Sequence, residues 1–233
     1  MKNQHISSHF NQELEDVRTE VMQMGGIIEQ QIQVILQSMS RANPQGLPEI
    51  RESEQKINEM EELIDDHCQT IIARRQPAAG DLRFVLTVTR MIVDLERVGD
   101  ELKKIAYYTH NLLINNKISA TGLYDTHRIL DMASTMIRSA LDAFARLDES
   151  AVVALRISDE KLDTDYRNQL RVLMTNIFED PKSISTWIDV MMMNKAVERI
   201  GDHAKNMAEH IVYLVRGIDI RHKGLEEIES NLK

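Results

Sequence analysis

A five-residue motif that occurs twice constrains the fold of this chain more than any other feature of the sequence. The motif ERVGD at residues 96–100 returns as ERIGD at residues 198–202, an offset of 102. Apolar neighbours repeat at the same offset, with Leu95 matching Val197 and Leu112 matching Leu214. Because an internal repeat marks equivalent structural units, the sequence predicts two homologous halves.

The spacing of apolar residues predicts three helices in each half. From Phe10 to Met39 they recur at steps of three and four, which is typical of a long amphipathic helix. Prolines end or interrupt this pattern: Pro77, which matches Pro181 at an offset of 104, stops the second helix and is expected in the first turn of the third. The polar segment 115–122 separates the halves. Only 4% of the residues are aromatic, which disfavours strands. We therefore predict an all-α protein of two pseudo-symmetric three-helix bundles, residues 1–116 and 123–222, with a frayed acidic tail at 223–233.

Composition excludes several classes of function. The net charge of -9 and the lack of a basic run make nucleic acid a poor partner, since phosphate backbones are bound by clustered Lys and Arg. The single Cys68 fits a reducing compartment. No apolar stretch is long enough for a signal peptide or a membrane span, so a cytoplasmic protein is expected. The sequence shows no phosphate-binding loop, zinc-type cysteine pair or nucleophile triad, and no enzymatic activity is expected.

Paired carboxylates are the candidate functional residues. Each repeated motif places two carboxylates four residues apart, hence on one helix face, on either side of a mid-helix glycine. A second pair lies on the helix before the second motif and would run antiparallel to it, so that four carboxylates could converge on a cation that prefers oxygen ligands. In the first half the equivalent pair is weaker, because Asn58 brings no charge. The candidate metal ligands are Glu54, Glu96, Asp100, Asp159, Asp163, Glu198 and Asp202.

The same residues have a structural interpretation. If Leu95 and Val98 face the core, then Glu96 and Asp100 lie on the outward face of the helix, where acidic residues are common. The glycines would leave room either for a cation or for a neighbouring helix. Lysines one turn later would neutralise the pair, and His203 would be a solvated side chain rather than a ligand. A di-iron carboxylate protein would need Glu-x-x-His motifs, which the sequence lacks.

The duplicated motif resembles that of the PhoU family of phosphate-transport accessory proteins. Further segments read as that family does: MQMGG at 22–26, ARRQP at 73–77, DLR at 81–83, LDAFAR at 141–146 and EDP at 179–181. The resemblance implies a homodimer that negatively controls phosphate uptake and the phosphate-starvation regulon. It implies contact with the phosphate ABC transporter's ATPase complex and with a membrane sensor histidine kinase, without binding to DNA. It also implies divalent or iron-type metal ions at the paired Glu/Asp-x-x-x-Asp motifs, from which Asn58 departs.

Two other functions are alternatives to the regulation of phosphate uptake. A metal-binding or metal-buffering helical bundle would use the acidic faces, and it is the alternative to a signalling adaptor. A histidine phosphotransfer bundle would need one exposed phosphorylatable histidine, and none of the eight histidines stands out.

Overall fold

The structure, a computed structural model, describes residues 8–221 together with 223, 224 and 227 of the 233 residues. Within this part of the chain there are six α-helices and no strand, which confirms the all-α prediction. The predicted acidic tail at 223–233 lies outside the described residues except for those three positions. The helices are α1 (Ser8–Arg41), α2 (Ile50–Arg75), α3 (Ala79–Ile114), α4 (Tyr124–Arg146), α5 (Ala151–Glu179) and α6 (Ile184–Arg216).

The helices form two three-helix bundles, as the repeat predicts. In the first half α1, α2 and α3 pack against one another, and α4, α5 and α6 do the same in the second half. The bundles meet through α3 against α6 and α1 against α4, and the contact of α3 with α6 is the most extensive in the fold. One continuous apolar core runs through both bundles. The boundaries proposed at 116 and 123 stay predictions; α3 ends at Ile114, and a 3-10 turn at Thr121–Leu123 precedes α4.

The two prolines at corresponding positions act differently. Pro77 lies in the loop between α2 and α3 and not in the first turn of α3, which begins at Ala79. The left-handed backbone of Gln76, with φ of 48°, ends α2. Pro181 starts a 3-10 turn, Pro181–Ser183, that leads into α6; its fixed φ suits such a first position. The proline repeat thus marks the second interhelical turn of each bundle.

Burial follows the repeat in the second and third helices of each bundle. Most buried positions of α3 have a buried counterpart in α6 at an offset of 102, as Leu95 and Val197 or Leu102 and Ala204 illustrate. Those of α2 and α5 correspond at an offset of 105. The matching buried residues are Ile50 and Leu155, Glu54 and Asp159, Ile57 and Leu162, Ile64 and Gln169, and Cys68 and Leu173.

Cys68 is buried, and burial raises the pKa of its thiol to about 12, so it is unreactive. None of the helices in the described part of the chain combines the length and the apolar character that a membrane crossing needs.

Candidate functional site

The first carboxylate cluster lies where α2 packs against α3. Glu54 on α2 is buried, and its Oε1 accepts from Asn58 Nδ2 at 3.0 Å. The same oxygen lies 3.0 Å from Nζ of Lys103 on α3, and that ammonium is 3.8 Å from Asp100 Oδ1. Lys103 therefore bridges Glu54 and Asp100, so that only Asp100 of the Glu96–Asp100 pair has the lysine partner that the structural interpretation expects. Lys104 instead pairs with Glu101, at 3.0 Å.

The negative charge of Glu96 is neutralised less than that of the neighbouring carboxylates Glu54 and Asp100. Burial, followed by the charges of Asp100 and Glu61, raises the pKa of Glu96 above its ordinary value, and only the charge of Arg97 opposes them among the main influences. The pKa of Glu61 is also raised, by burial and by Asp65. The face shared by α2 and α3 thus keeps an excess of negative charge around Glu96.

Replacing Glu96 with glutamine is expected to raise the free energy of unfolding at pH 7 by a few tenths of a kcal/mol, as removal of a like-charge pair does. A carboxyl whose pKa is raised on folding penalises the folded state only when ionised. The gain should therefore shrink as the pH falls through the raised pKa and disappear at about pH 3, below the ordinary glutamate pKa of about 4.3, where Glu96 is protonated in both states. Urea unfolding at several pH values measures it, with the exposed Glu160→Gln as control. A gain that is equal at pH 7 and pH 4 would contradict the charge argument.

The second carboxylate cluster lies where α5 packs against α6. Lys205 Nζ donates to Asp159 Oδ2 at 2.7 Å and to Asp202 Oδ1 at 2.8 Å. Burial raises the pKa of Asp159 even though Lys205 opposes it, and the charges of Asp202 and Asp163 add to the rise. Burial disfavours the ammonium of Lys205, but its two carboxylate partners outweigh this and raise its pKa.

The other two predicted ligands of the second half, Glu198 and Asp163, form ion pairs within their own helices. Glu198 Oε2 forms an ion pair with Lys195, and Asp163 lies 3.5 Å from Arg167 Nη2. The structure therefore brings Asp159 and Asp202 together around one lysine rather than gathering four carboxylates.

The carboxylate oxygens of each cluster would suit a hard cation, but the ammonium group of a lysine already lies between them. Carboxylate oxygens are the ligands that hard divalent ions prefer, and both clusters contain buried carboxylates. Among the residues that the structure describes, no group of three or more His, Cys, Asp or Glu side chains is arranged to hold a metal ion. A cation would have to displace Lys103 or Lys205 from its carboxylates. The seven-residue ligand set stays a prediction.

The glycines of the repeated motif allow α2 and α5 to approach their neighbours closely. A Cβ at Gly99 would lie 3.0 Å from Ile57 Cδ1, and a Cβ at Gly201 would overlap Leu162 Cδ2. Of the two roles left open for the glycines, the structure thus favours helix packing. The duplicated glycine is explained by the fold without reference to a ligand.

A polar layer between the bundles was not predicted from the sequence. Asp94 on α3 is buried and meets two histidines of α6: its Oδ1 lies 2.8 Å from His203 Nδ1, and its Oδ2 lies 3.1 Å from His210 Nε2. Asn206 Nδ2 donates to Oδ1 at 3.4 Å. Burial opposes ionisation of Asp94, but the hydrogen bonds with His203 and His210 outweigh it, so that the pKa of Asp94 is lowered. The expectation that His203 is solvated is wrong.

A charged cleft extends this layer along α3 and α6. Glu101, which is buried, accepts from Arg199 Nη1 at 3.0 Å as well as from Lys104. The cleft has a volume of about 630 Å3, and most of its lining residues are charged. One signal in the sequence was overlooked: Asp94 corresponds to Ala196 in the other half, so a carboxylate stands at a buried position where the other half has a small apolar residue.

The fold and its sites define a class of protein, a tandem duplication of a three-helix bundle with an acidic motif in each copy. Within that class the chain belongs to the PhoU family. The model of the PhoU domain matches residues 21–109 and again residues 126–211, and the resemblance noted in the sequence is confirmed.

Named relatives and solved structures agree with this assignment. The chain is 41% identical, over 98% of its length and 89% of the relative's, to the phosphate-specific transport system accessory protein PhoU homolog of Pseudomonas putida. It is 36% identical to the phosphate-specific transport system accessory protein PhoU of Escherichia coli, over 99% of this chain and 95% of the relative. The crystal structure of PhoU from Pseudomonas aeruginosa superposes with a TM-score of 0.84 at 38% identity, covering 90% of this chain and 100% of that one.

Proposed function

We propose that this protein is a cytoplasmic, non-enzymatic negative regulator of phosphate uptake and of the phosphate-starvation regulon. In this role it is a homodimeric adaptor between the ATPase complex of a phosphate ABC transporter and a membrane sensor histidine kinase. The observation that carries the proposal is the identity of 41% over 98% of the chain to a relative named as a phosphate-specific transport accessory protein. The duplicated bundle supports it by offering extended helical surfaces rather than an enclosed reaction site.

The regulatory part is tested by deleting the gene in its own organism and measuring a reporter of the phosphate-starvation regulon together with phosphate uptake. We expect the reporter to be active in phosphate-rich medium after deletion and to be silenced again by the intact gene supplied in trans. A reporter that remains silent in the deletion strain contradicts negative regulation.

The adaptor part is tested by crosslinking in membranes that contain the transporter and the kinase, followed by affinity purification of this protein. We expect the transporter ATPase and the kinase to be recovered, and sedimentation of the purified chain to report a dimer. Recovery of neither protein from membranes that hold both of them contradicts the adaptor role.

Metal binding is a second candidate, and the excess negative charge around Glu96 and the buried Asp159 favour it. The proposed ligands are Glu54, Glu96 and Asp100 in the first half, and Asp159, Asp163, Glu198 and Asp202 in the second. Resident ions would neutralise these carboxylates in place of Lys103 and Lys205.

We expect the untagged protein to retain divalent or iron-type ions, measured by elemental analysis, and Glu198→Ala/Asp202→Ala to lose about half of them. The matched control removes two exposed carboxylates, Glu52→Ala/Glu160→Ala, and should leave the metal content unchanged. Equal metal content in the two double variants and in the parent protein contradicts the assigned ligands.

A further inference from the structure

An open groove in the first bundle combines an apolar floor with a basic rim. It has a volume of about 520 Å3 and lies between the start of α2 and the second half of α3. None of the described residues that line it carries a carboxylate, although the chain has a net charge of -9. Its floor consists of Leu47, Ile50 and Ala106, all buried, and its rim carries Arg51, Lys103, Lys104, His110 and Tyr107.

The corresponding place in the second bundle is covered by the chain itself. The counterpart of Arg51 at the offset of 105 is Arg156, and its Nη2 donates to the carbonyl oxygen of Lys223 at 3.1 Å and lies 3.5 Å from that of Ile220. The segment that follows α6 therefore folds back over the start of α5. Ile220 is only 1% exposed, so this segment also contributes a buried aliphatic side chain.

Among the described residues, the carboxylate partner of the arginine is also present only in the second bundle. Arg156 pairs with Glu209 at 2.9 Å. The counterpart of Glu209 at the offset of 102 is Tyr107, which is 63% exposed. No carboxylate among the described residues lies within ion-pair distance of Arg51, and none of residues 115–120, which follow α3, lines the groove. Within the part of the chain that the structure describes, the first bundle thus keeps the arginine but lacks both of the groups that bind the guanidinium in the second.

The lysines of the rim retain binding capacity. Lys103 pairs with Glu54 and Lys104 with Glu101, and neither of these carboxylates lines the groove. The two lysine side chains are 44% and 49% exposed. Since each ammonium has three N–H donors, both are able to bind a further anionic group at the groove.

We propose that this groove binds an extended, acidic peptide segment of a partner protein, with an aliphatic side chain on the floor formed by Leu47, Ile50 and Ala106. Arg51 donates to a backbone carbonyl of that segment, as Arg156 does to the chain's own segment in the second bundle. Lys103 and Lys104 pair with its carboxylates, and Tyr107 covers the aliphatic side chain. This goes beyond the proposed regulatory function and does not depend on it, because the binding is tested with purified protein alone.

The test measures fluorescence anisotropy of the labelled peptide GEEEIEEEG with the full chain. We expect it to bind at least about tenfold more tightly than GKKKIKKKG or GEEESEEEG, and to weaken with rising salt as pairing of exposed charges does. Arg51→Glu and Tyr107→Ala should each reduce the affinity about tenfold. The matched controls Arg167→Glu and Tyr124→Ala change exposed residues of the same types outside the groove and should leave it unchanged. Circular dichroism should show the same thermal transition for all four variants, since each position is exposed.

Three results would overturn the proposal. The first is that the acidic peptide binds no better than the basic one. The second is that Arg51→Glu and Arg167→Glu weaken binding equally, which would indicate unspecific charge attraction. The third is that the chain self-associates, that Arg51→Glu abolishes this self-association, and that the peptide binds only to the monomer. This result would show that a second copy of the chain occupies the groove instead of a partner protein.

Discussion

Replacing Asp94 with alanine is expected to lower the free energy of unfolding by about 3 kcal/mol. The substitution leaves His203 and His210 at the interface between the bundles without their buried acceptor, and removing one member of a buried, hydrogen-bonded polar group has a cost of that order. Urea unfolding at pH 7, followed by circular dichroism, measures the change. The exposed Glu160→Ala serves as control and should stay within about 0.5 kcal/mol of the parent protein.

The contribution of Asp94 to the free energy of unfolding should decrease at low pH. Its pKa is lowered in the folded protein, so its contribution to stability is fully present above the unfolded pKa of about 3.9. The contribution is lost as the pH falls through the lowered folded pKa. We therefore expect the difference between parent and variant to shrink below about pH 4. A difference that stays constant down to pH 2 would contradict an ionised Asp94 between the histidines.

Replacing Gly201 with leucine is expected to destabilise the protein by about 3 kcal/mol or more. A Cβ there overlaps Leu162 Cδ2, and a whole leucine side chain requires Leu162 to leave its place in the core or α5 to move away from α6, either of which disrupts well-packed core residues. Overpacking of this kind typically costs about 1–3 kcal/mol for small additions, and leucine adds four carbons. The gain in helix propensity over glycine, about 1 kcal/mol at most, does not offset the cost.

Gly26→Leu is the matched control for this prediction. Gly26 is also inside a helix, but a Cβ there has nothing within 4 Å, and the position is exposed. The same substitution should therefore be neutral or stabilise by up to about 1 kcal/mol. Equal destabilisation by the two leucines would show that the close packing of α5 on α6 is not what Gly201 provides.

The helices and their duplication could be predicted because they depend on local patterns. Apolar residues such as Met24, Ile28 and Ile35 recur with the helical period whatever the helix packs against, and the motif repeats without any knowledge of contacts. The turns were predicted less well: Pro77 stands outside α3, because Ala78 is extended, with φ of -124° and ψ of 157°, and α3 begins only at Ala79. Such backbone choices depend on how the following helix packs.

The contacts between the halves could not be predicted from spacing. Asp94 and His203 are 109 residues apart, and their meeting requires the antiparallel packing of α3 on α6. The environment of His203 was predicted from its relation to Asp202 within one helix, which says nothing about a carboxylate on another. The pairing of Lys205 with Asp159 likewise connects two helices. Local charge patterns identified the acidic residues and lysines one turn later, but not the carboxylates on neighbouring helices, Glu54 and Asp159, with which Lys103 and Lys205 pair.

The way the bundles meet has a consequence for symmetry. Each helix at the interface contacts its own counterpart, α3 with α6 and α1 with α4, which is the isologous geometry of a twofold homodimer. In such a homodimer every interface contact would occur twice. In one covalent chain it need not: the counterparts of Asp94 and His203 are Ala196 and Glu101, and the aspartate–histidine contact exists once. Tethering the two copies therefore lets one interface hold two different sets of polar contacts, a freedom that identical subunits related by a twofold axis do not have.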